Sequence, residues 1–154
     1  MKKRKITSAF EKAVKATPEI CGAYCEGLQA LKRADAAKII PAEKRKVDGS
    51  VDIDRALIAL YPVGNRWDYA IGYDAKACFV EVHPAYTTEI NKMINKYNWL
   101  VAWLKEKAPQ LESFPKMKPA FVWIQSGKNA ILPTAKHSKM LATVGLPRPT
   151  LTLK

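Results

Sequence analysis

The stretch WDYAIGYDAKACFVEVH, residues 67–83, decides how this chain folds. Trp67 to Tyr73 and Ala77 to His83 are rich in β-branched and aromatic residues, and Asp74-Ala75-Lys76 forms a tight polar connection between them. That pattern predicts two antiparallel strands. Alternation along the second arm puts Phe79, Glu81 and His83 on one face and Val80 and Val82 on the other. On the first arm Asp68 shares a face with Ala70 and Gly72, whose small side chains are expected to leave open space beside the carboxylate. Register decides the rest. A turn with an even number of residues sets Asp68 beside Glu81 and His83, whereas an odd number sets it on the opposite face.

Upstream of the hairpin, Val51 to Tyr61 is rich in Val, Ile and Leu and is stopped by Pro62, with Gly64-Asn65-Arg66 as a turn. It predicts a third strand and an antiparallel meander. Downstream, Pro84 closes the hairpin and Thr87 or Thr88 can cap a helix. Ile90, Met93, Ile94, Tyr97, Leu100, Val101 and Leu104 then hold a helical period over 88–107, until Pro109. Ala120 to Ile124 reads as a short strand, 134–143 as a helix closed by Gly145, and Leu151-Thr152-Leu153 as an edge strand.

Toward the N-terminus, Ser8 caps a helix over 8–16, and Thr17-Pro18 gives a second start signal. Ile20, Tyr24, Leu28 and Leu31 recur at helical spacing, predicting a helix over 18–38 that Pro41 ends. Residues 41–50 read as an exposed basic loop, and residues 1–7 as a basic, mobile tail. The fold class that results is α/β: a single mixed sheet, a three-stranded meander plus a fourth strand, flanked by helices, in one domain over 1–154.

Charge narrows the class of partner. The chain carries 26 Lys and Arg against 14 Asp and Glu, a formal net charge of +12. Residues 1–50 hold +6 (twelve bases, six acids), 51–107 are neutral (seven and seven), and 108–154 hold +6 (seven and one). Two basic flanks around a neutral centre fit a polyanion such as DNA or RNA, bound through counterion release. Lys44-Arg45-Lys46, Lys92, Lys96 and Lys128 are the candidate phosphate contacts. Lys2-Lys3-Arg4-Lys5 and Lys136, His137 and Lys139 form further basic groups.

Other classes are disfavoured. No stretch approaches the roughly 18 apolar residues of a membrane span, and no apolar run follows the basic start, so a cytoplasmic protein without membrane contact is expected. Cys21, Cys25 and Cys78 are an odd number without a second zinc-spaced pair, which reads as buried cysteines, the first two on a helix. Phosphate-binding Gly loops, His-Glu-x-x-His and nucleophile elbows are absent.

The chemistry therefore concentrates on the hairpin. Two strand-borne carboxylates, Asp68 and Glu81, are hard oxygen donors suited to Mg²⁺ or Mn²⁺, leaving coordination sites for water and phosphate. His83 would add a donor, a base or a ligand. Asp52 and Asp54 read as a solvent face, Glu89 as a helix-start acid, and Trp99, Trp103 and Trp123 as core, with base stacking open to any that is exposed. Plain alternatives exist for the site residues too: Asp68 as a surface acid, Glu81 as half of a salt bridge, His83 as a residue bonded near Pro84.

The order helix–three strands–helix–strand, with Asp68 opening the second strand and Glu81 on the third, resembles the core of the P-D-(D/E)-x-K restriction-endonuclease-like superfamily. The resemblance spans roughly 18–125 and departs from the motif at His83, where a lysine is expected. Lys92 or Lys96 on the next helix is the replacement that the resemblance implies. It implies a magnesium- or manganese-dependent nuclease, a DNA- or RNA-cutting hydrolase with Asp68, Glu81 and His83 as catalytic residues and the first two as metal ligands. The alternatives are a non-catalytic nucleic-acid-binding module on the same fold and a basic protein-interaction domain.

Overall fold

A computed structural model describes residues 7–128 and 135–147, with Pro149, Thr150 and Leu153; the side chains of Ala135, His137 and Ser138 are outside that description. The basic cluster at 2–5 and residues 151–152 of the expected edge strand lie outside the described residues.

The chain is α/β, with one five-stranded mixed sheet flanked by helices. Its strands are β1 (Tyr24–Glu26), β2 (Val47–Asp52), β3 (Tyr69–Tyr73), β4 (Lys76–His83) and β5 (Lys116–Gln125). They lie in sequence order, antiparallel except for the parallel pair β4–β5. A parallel pair requires a crossover. Here α4 (Ile90–Lys107) and α5 (Pro109–Glu112) supply it. The remaining helices are α1 (Ala9–Lys15), α2 (Arg33–Ala36), α3 (Ile53–Leu57) and α6 (Ala135–Val144). Thr150 and Leu153 each make a single parallel bridge, to Ile124 and Ile39.

Local signals placed several elements correctly. Ser8 Oγ accepts from the Glu11 N–H at 3.1 Å and caps α1. α6 ends at Gly145, whose φ of +81° is the left-handed conformation glycine adopts without a Cβ penalty. The hairpin turn is one residue shorter than the expected Asp74-Ala75-Lys76 connection: Lys76 pairs with Tyr73 and opens β4, leaving only Asp74 (φ 49°) and Ala75 (φ 58°) in the turn. Two left-handed residues in a row match the twist of the strands they join.

Four expectations are corrected. The helix over 18–38 does not form: a 3₁₀ turn (Pro18–Ile20), β1 and the single turn α2 occupy it. Its apolar spacing was helical, but Gly27 sits at φ +52°. Tyr24 instead lies flat on β2, so close that a Cβ on Gly49 would meet its ring at 2.3 Å, and its hydroxyl donates to the Asp48 carbonyl at 2.7 Å. Cys21 and Cys25 are consequently off any helix, Cys21 exposed and Cys25 part-buried; Cys78 alone is buried core.

The exposed loop ends at 46, because β2 starts at Val47 and buries Gly49 and Ser50. The strand expected over 51–61 stops at Asp52, whose carboxylate accepts from the Arg55 N–H at 2.8 Å and starts α3. Finally, β1 makes the sheet five strands rather than four.

Each sheet face has its own core. Under α1, α3, α4, α5 and α6 lie Phe10, Val51, Phe79, Met93, Leu100 and Trp123. On the opposite face Tyr69, Ile71, Val80, Val122 and Ile124 pack against Leu28, Leu31, Ala36 and Ile39. The 28–39 segment thus covers the second face although it is mostly not helical.

Candidate functional site

The even-numbered turn settles the register. Tyr69 pairs with Val80 and Ala70 with Phe79, so Asp68, one residue before β3, falls opposite Glu81. Their contacts are reciprocal. The Asp68 N–H donates to Glu81 Oε1 at 3.0 Å, and the Val82 N–H donates to Asp68 Oδ2 at 3.0 Å. Each carboxylate satisfies a backbone donor of the other strand at the open end of the hairpin.

From that face, which lies under α4, Lys96 reaches Glu81 Oε2 at 2.6 Å. His83 stands two residues beyond Glu81 with Nδ1 3.4 Å from the same oxygen, while Nε2 lies 3.1 Å from Glu89. Five ionisable groups therefore meet: Asp68, Glu81, His83, Glu89 and Lys96. Three acids face two bases. Glu81 is fully buried, His83 is 9% exposed and Asp68 is part-buried.

This setting shifts two groups. Burial, then the neighbouring Glu81 carboxylate, pushes Asp68 up to about 7 against the opposing pull of Lys96 and the Val82 N–H. For His83, burial pulls downward, but hydrogen bonding to Glu81 and Glu89 outweighs it and raises the imidazole above its ordinary value. A neutral ring can donate from only one nitrogen. With a carboxylate at each nitrogen, the imidazolium fits best.

The open space expected beside Asp68 is not there. Phe10 of α1 packs onto Gly72, where an added Cβ would lie 2.4 Å from the ring, and Ala70 is fully buried.

The donor set fits a hard divalent cation in one specific sense. Asp68 and Glu81 are oxygen donors from adjacent strands, and among the described residues nothing donates a hydrogen bond to Asp68 Oδ1. Among the described residues no group of three or more His, Cys, Asp or Glu is arranged to hold an ion by itself. An ion here would have two protein ligands and complete its shell with water and phosphate oxygens, as Mg²⁺ commonly does.

The remaining candidates separate by location. Lys92 is exposed one helical turn before Lys96, and Lys128 is exposed three residues after Gln125, which pairs with His83. Both sit at the site end of the sheet. Lys44, Arg45 and Lys46 do not: the Asp74 N–H donates to the Lys46 carbonyl, which fixes them beside the hairpin turn. Asp74 is six residues from Asp68 along β3, about 20 Å of strand. Asp52 caps α3, whereas Asp54, paired with Arg66 at 2.9 Å, borders the cluster: its N–H donates to the Asp68 carbonyl at 3.3 Å and its carboxylate adds slightly to the upward push on Asp68. Trp103 and Trp123 are buried, and Trp123 Nε1 donates to the His83 carbonyl at 3.1 Å, steadying the end of β4.

Sequence reasoning missed Glu89, explained there as a helix-start acid. It does immediately precede α4, yet its carboxylate turns back onto His83. The available signal was its position six residues after His83, across the short Pro84 link between strand and helix. No family model, curated protein or solved structure matches this chain.

Proposed function

We propose that this protein is a metal-dependent hydrolase of nucleic-acid phosphodiesters. In this reading its core is of the P-D-(D/E)-x-K type, with β1 as an added edge strand and Lys96 of α4 in the role of the motif lysine. The observation that carries the reading is the meeting of Asp68, Glu81 and Lys96, from two strands and the following helix, at one end of a sheet in a strongly basic chain. The order α1, β2, β3–β4, α4, β5, with the short α3 between β2 and β3, supports it.

Asp68 and Glu81 would hold Mg²⁺ or Mn²⁺, which when bound supplies a Lewis acid for a phosphoryl oxygen and a water of lowered pKa. Lys96 holds Glu81 in place and presents a fixed positive charge to the negative charge that builds on the phosphate oxygens. His83, clamped between two carboxylates, has both ring nitrogens engaged and adds a second positive charge beside Glu81 rather than a base. Lys92 and Lys128 flank the cluster as phosphate contacts.

The test is cleavage of single- and double-stranded DNA and RNA with Mg²⁺ or Mn²⁺ against a chelator control. Metal-dependent cleavage is expected, reduced at least about a hundredfold by Asp68→Asn, Glu81→Gln or Lys96→Met. Cleavage indifferent to all three substitutions, or none on any substrate with either metal, would overturn the reading.

One observation favours a second reading, binding without cleavage: Glu81 is wholly buried and both its oxygens already engage groups of this chain. Salt-sensitive binding unaffected by metal and by Glu81→Gln is the outcome that selects it.

A further inference from the structure

We propose that Trp99, braced edge to face by Tyr61, is a stacking platform for an unpaired base, so that nucleic acid enters the Asp68–Glu81 centre as a single strand or at a frayed end. The inference rests on the nucleic-acid reading above and adds the form of the substrate.

Of the four tryptophans, Trp67, Trp103 and Trp123 are buried, and only Trp99 is part-exposed. Its ring is not loose. It lies parallel to Trp103 (5° between planes, centroids 6.1 Å apart) and meets Tyr61 edge to face at 5.7 Å. Beneath, Glu19 Oε1 accepts from the Tyr61 hydroxyl at 2.6 Å and from Trp103 Nε1 at 3.1 Å. Arg66 ties down the Tyr61 segment, donating to the Tyr61 carbonyl and to Asp54. Gly64 lies close enough to Trp99 that an added Cβ would stand 3.1 Å from Nε1. The aromatic group is thus fixed from below, and rotamer entropy has already been lost before any ligand arrives.

Position links it to the site. Lys92, Lys96, Trp99 and Trp103 recur on α4 at intervals of four, three and four, one continuous stripe of the helix. Trp99 stands about 4.5 Å along the axis from Lys96, the residue bonded to Glu81. An exposed cation, the acidic cluster and a held aromatic ring follow one another along this stripe. A phosphate at Lys92 and a base on Trp99 fit that order. Bases within a duplex already stack on their neighbours, so only an unpaired base can use the platform.

The experiment is binding of a 20-nucleotide oligo-dT, and of a duplex of equal length, at low salt with chelator present, read by tryptophan fluorescence and anisotropy. Oligo-dT is expected to quench the wild-type fluorescence. Trp99→Ala should weaken oligo-dT binding about five- to a hundredfold and leave duplex binding unchanged, while Trp99→Phe stays within about threefold. Equal affinity of wild type and Trp99→Ala for oligo-dT, or equal losses for both ligands, would overturn the platform alone. Failure of both ligands to bind would overturn the nucleic-acid reading with it. Because no cleavage is measured, an inactive protein that still shows the Trp99 effect removes the hydrolase reading and keeps the platform.

Discussion

The two ends of the β3–β4 hairpin carry charge in opposite ways. At the turn end Arg45 and Lys46 pair with the exposed Glu43 at 3.4 and 3.5 Å, with the Arg45 side chain 84% exposed. Water and salt screen such pairs, and they contribute little. At the open end the charges come from β3's approach, β4, α4 and the turn preceding it, and the Glu81 side chain is 1% exposed. There each charge depends on its partner, because an unpaired buried ion costs several kcal/mol. The loud charge run is the minor feature; scattered single residues make the site.

The sharpest way to break this contrast is Lys96→Met. It takes the nearest cation from the buried Glu81 carboxylate, leaving His83 at 3.4 Å, and should cost up to about 3–5 kcal/mol in denaturant unfolding. Lys96→Met combined with Glu81→Gln should recover most of that loss, since neither charge remains. If the single substitution costs under about 1 kcal/mol, the open end is no more coupled than the turn end.

A second test uses pH. Asp68 is raised from its ordinary carboxylate value to about 7, so its protonated form stabilises the fold fully below about 4, and that contribution is lost as pH rises through 7. His83 is raised above 6.5, so its contribution also holds below that value and is lost as pH climbs further. The melting temperature should therefore fall between pH 5 and pH 8, and fall less in Asp68→Asn. A flat profile, or an equal slope in the variant, contradicts the assignment.

The smallest effects belong to the turn end. Replacing Lys44, Arg45 and Lys46 singly by Ala should change stability by no more than about 0.5 kcal/mol. On nucleic acid, Lys92→Ala should lower the salt slope of binding by about one, while the triple replacement leaves it unchanged. A steeper loss from the triple variant would put the turn end into the binding surface.

Much of the fold was legible because its signals are short-range. Ser8, Pro84, Pro109 and Gly145 mark element ends through backbone chemistry that acts over one turn, and the long period of α4 needs only its own residues. Where two local signals competed, contacts from afar chose. The apolar spacing of 20–31 lost to Gly27 and to the bed that Gly49 offers Tyr24. Asp52 turned an expected strand into a helix start by offering a cap.

By itself the sequence determined a basic α/β chain with a hairpin bearing Asp68, Glu81 and His83, because alternation and composition need no partner. Tertiary structure alone decided that Asp68 opposes Glu81, that Lys96 rather than Lys92 reaches it, and that Glu89 closes on His83. Those outcomes depend on the parity of a two-residue turn and on how one helix is rotated over the sheet. A change of one residue in either sends a buried charge to the wrong face, and nothing local in the chain records which choice was made.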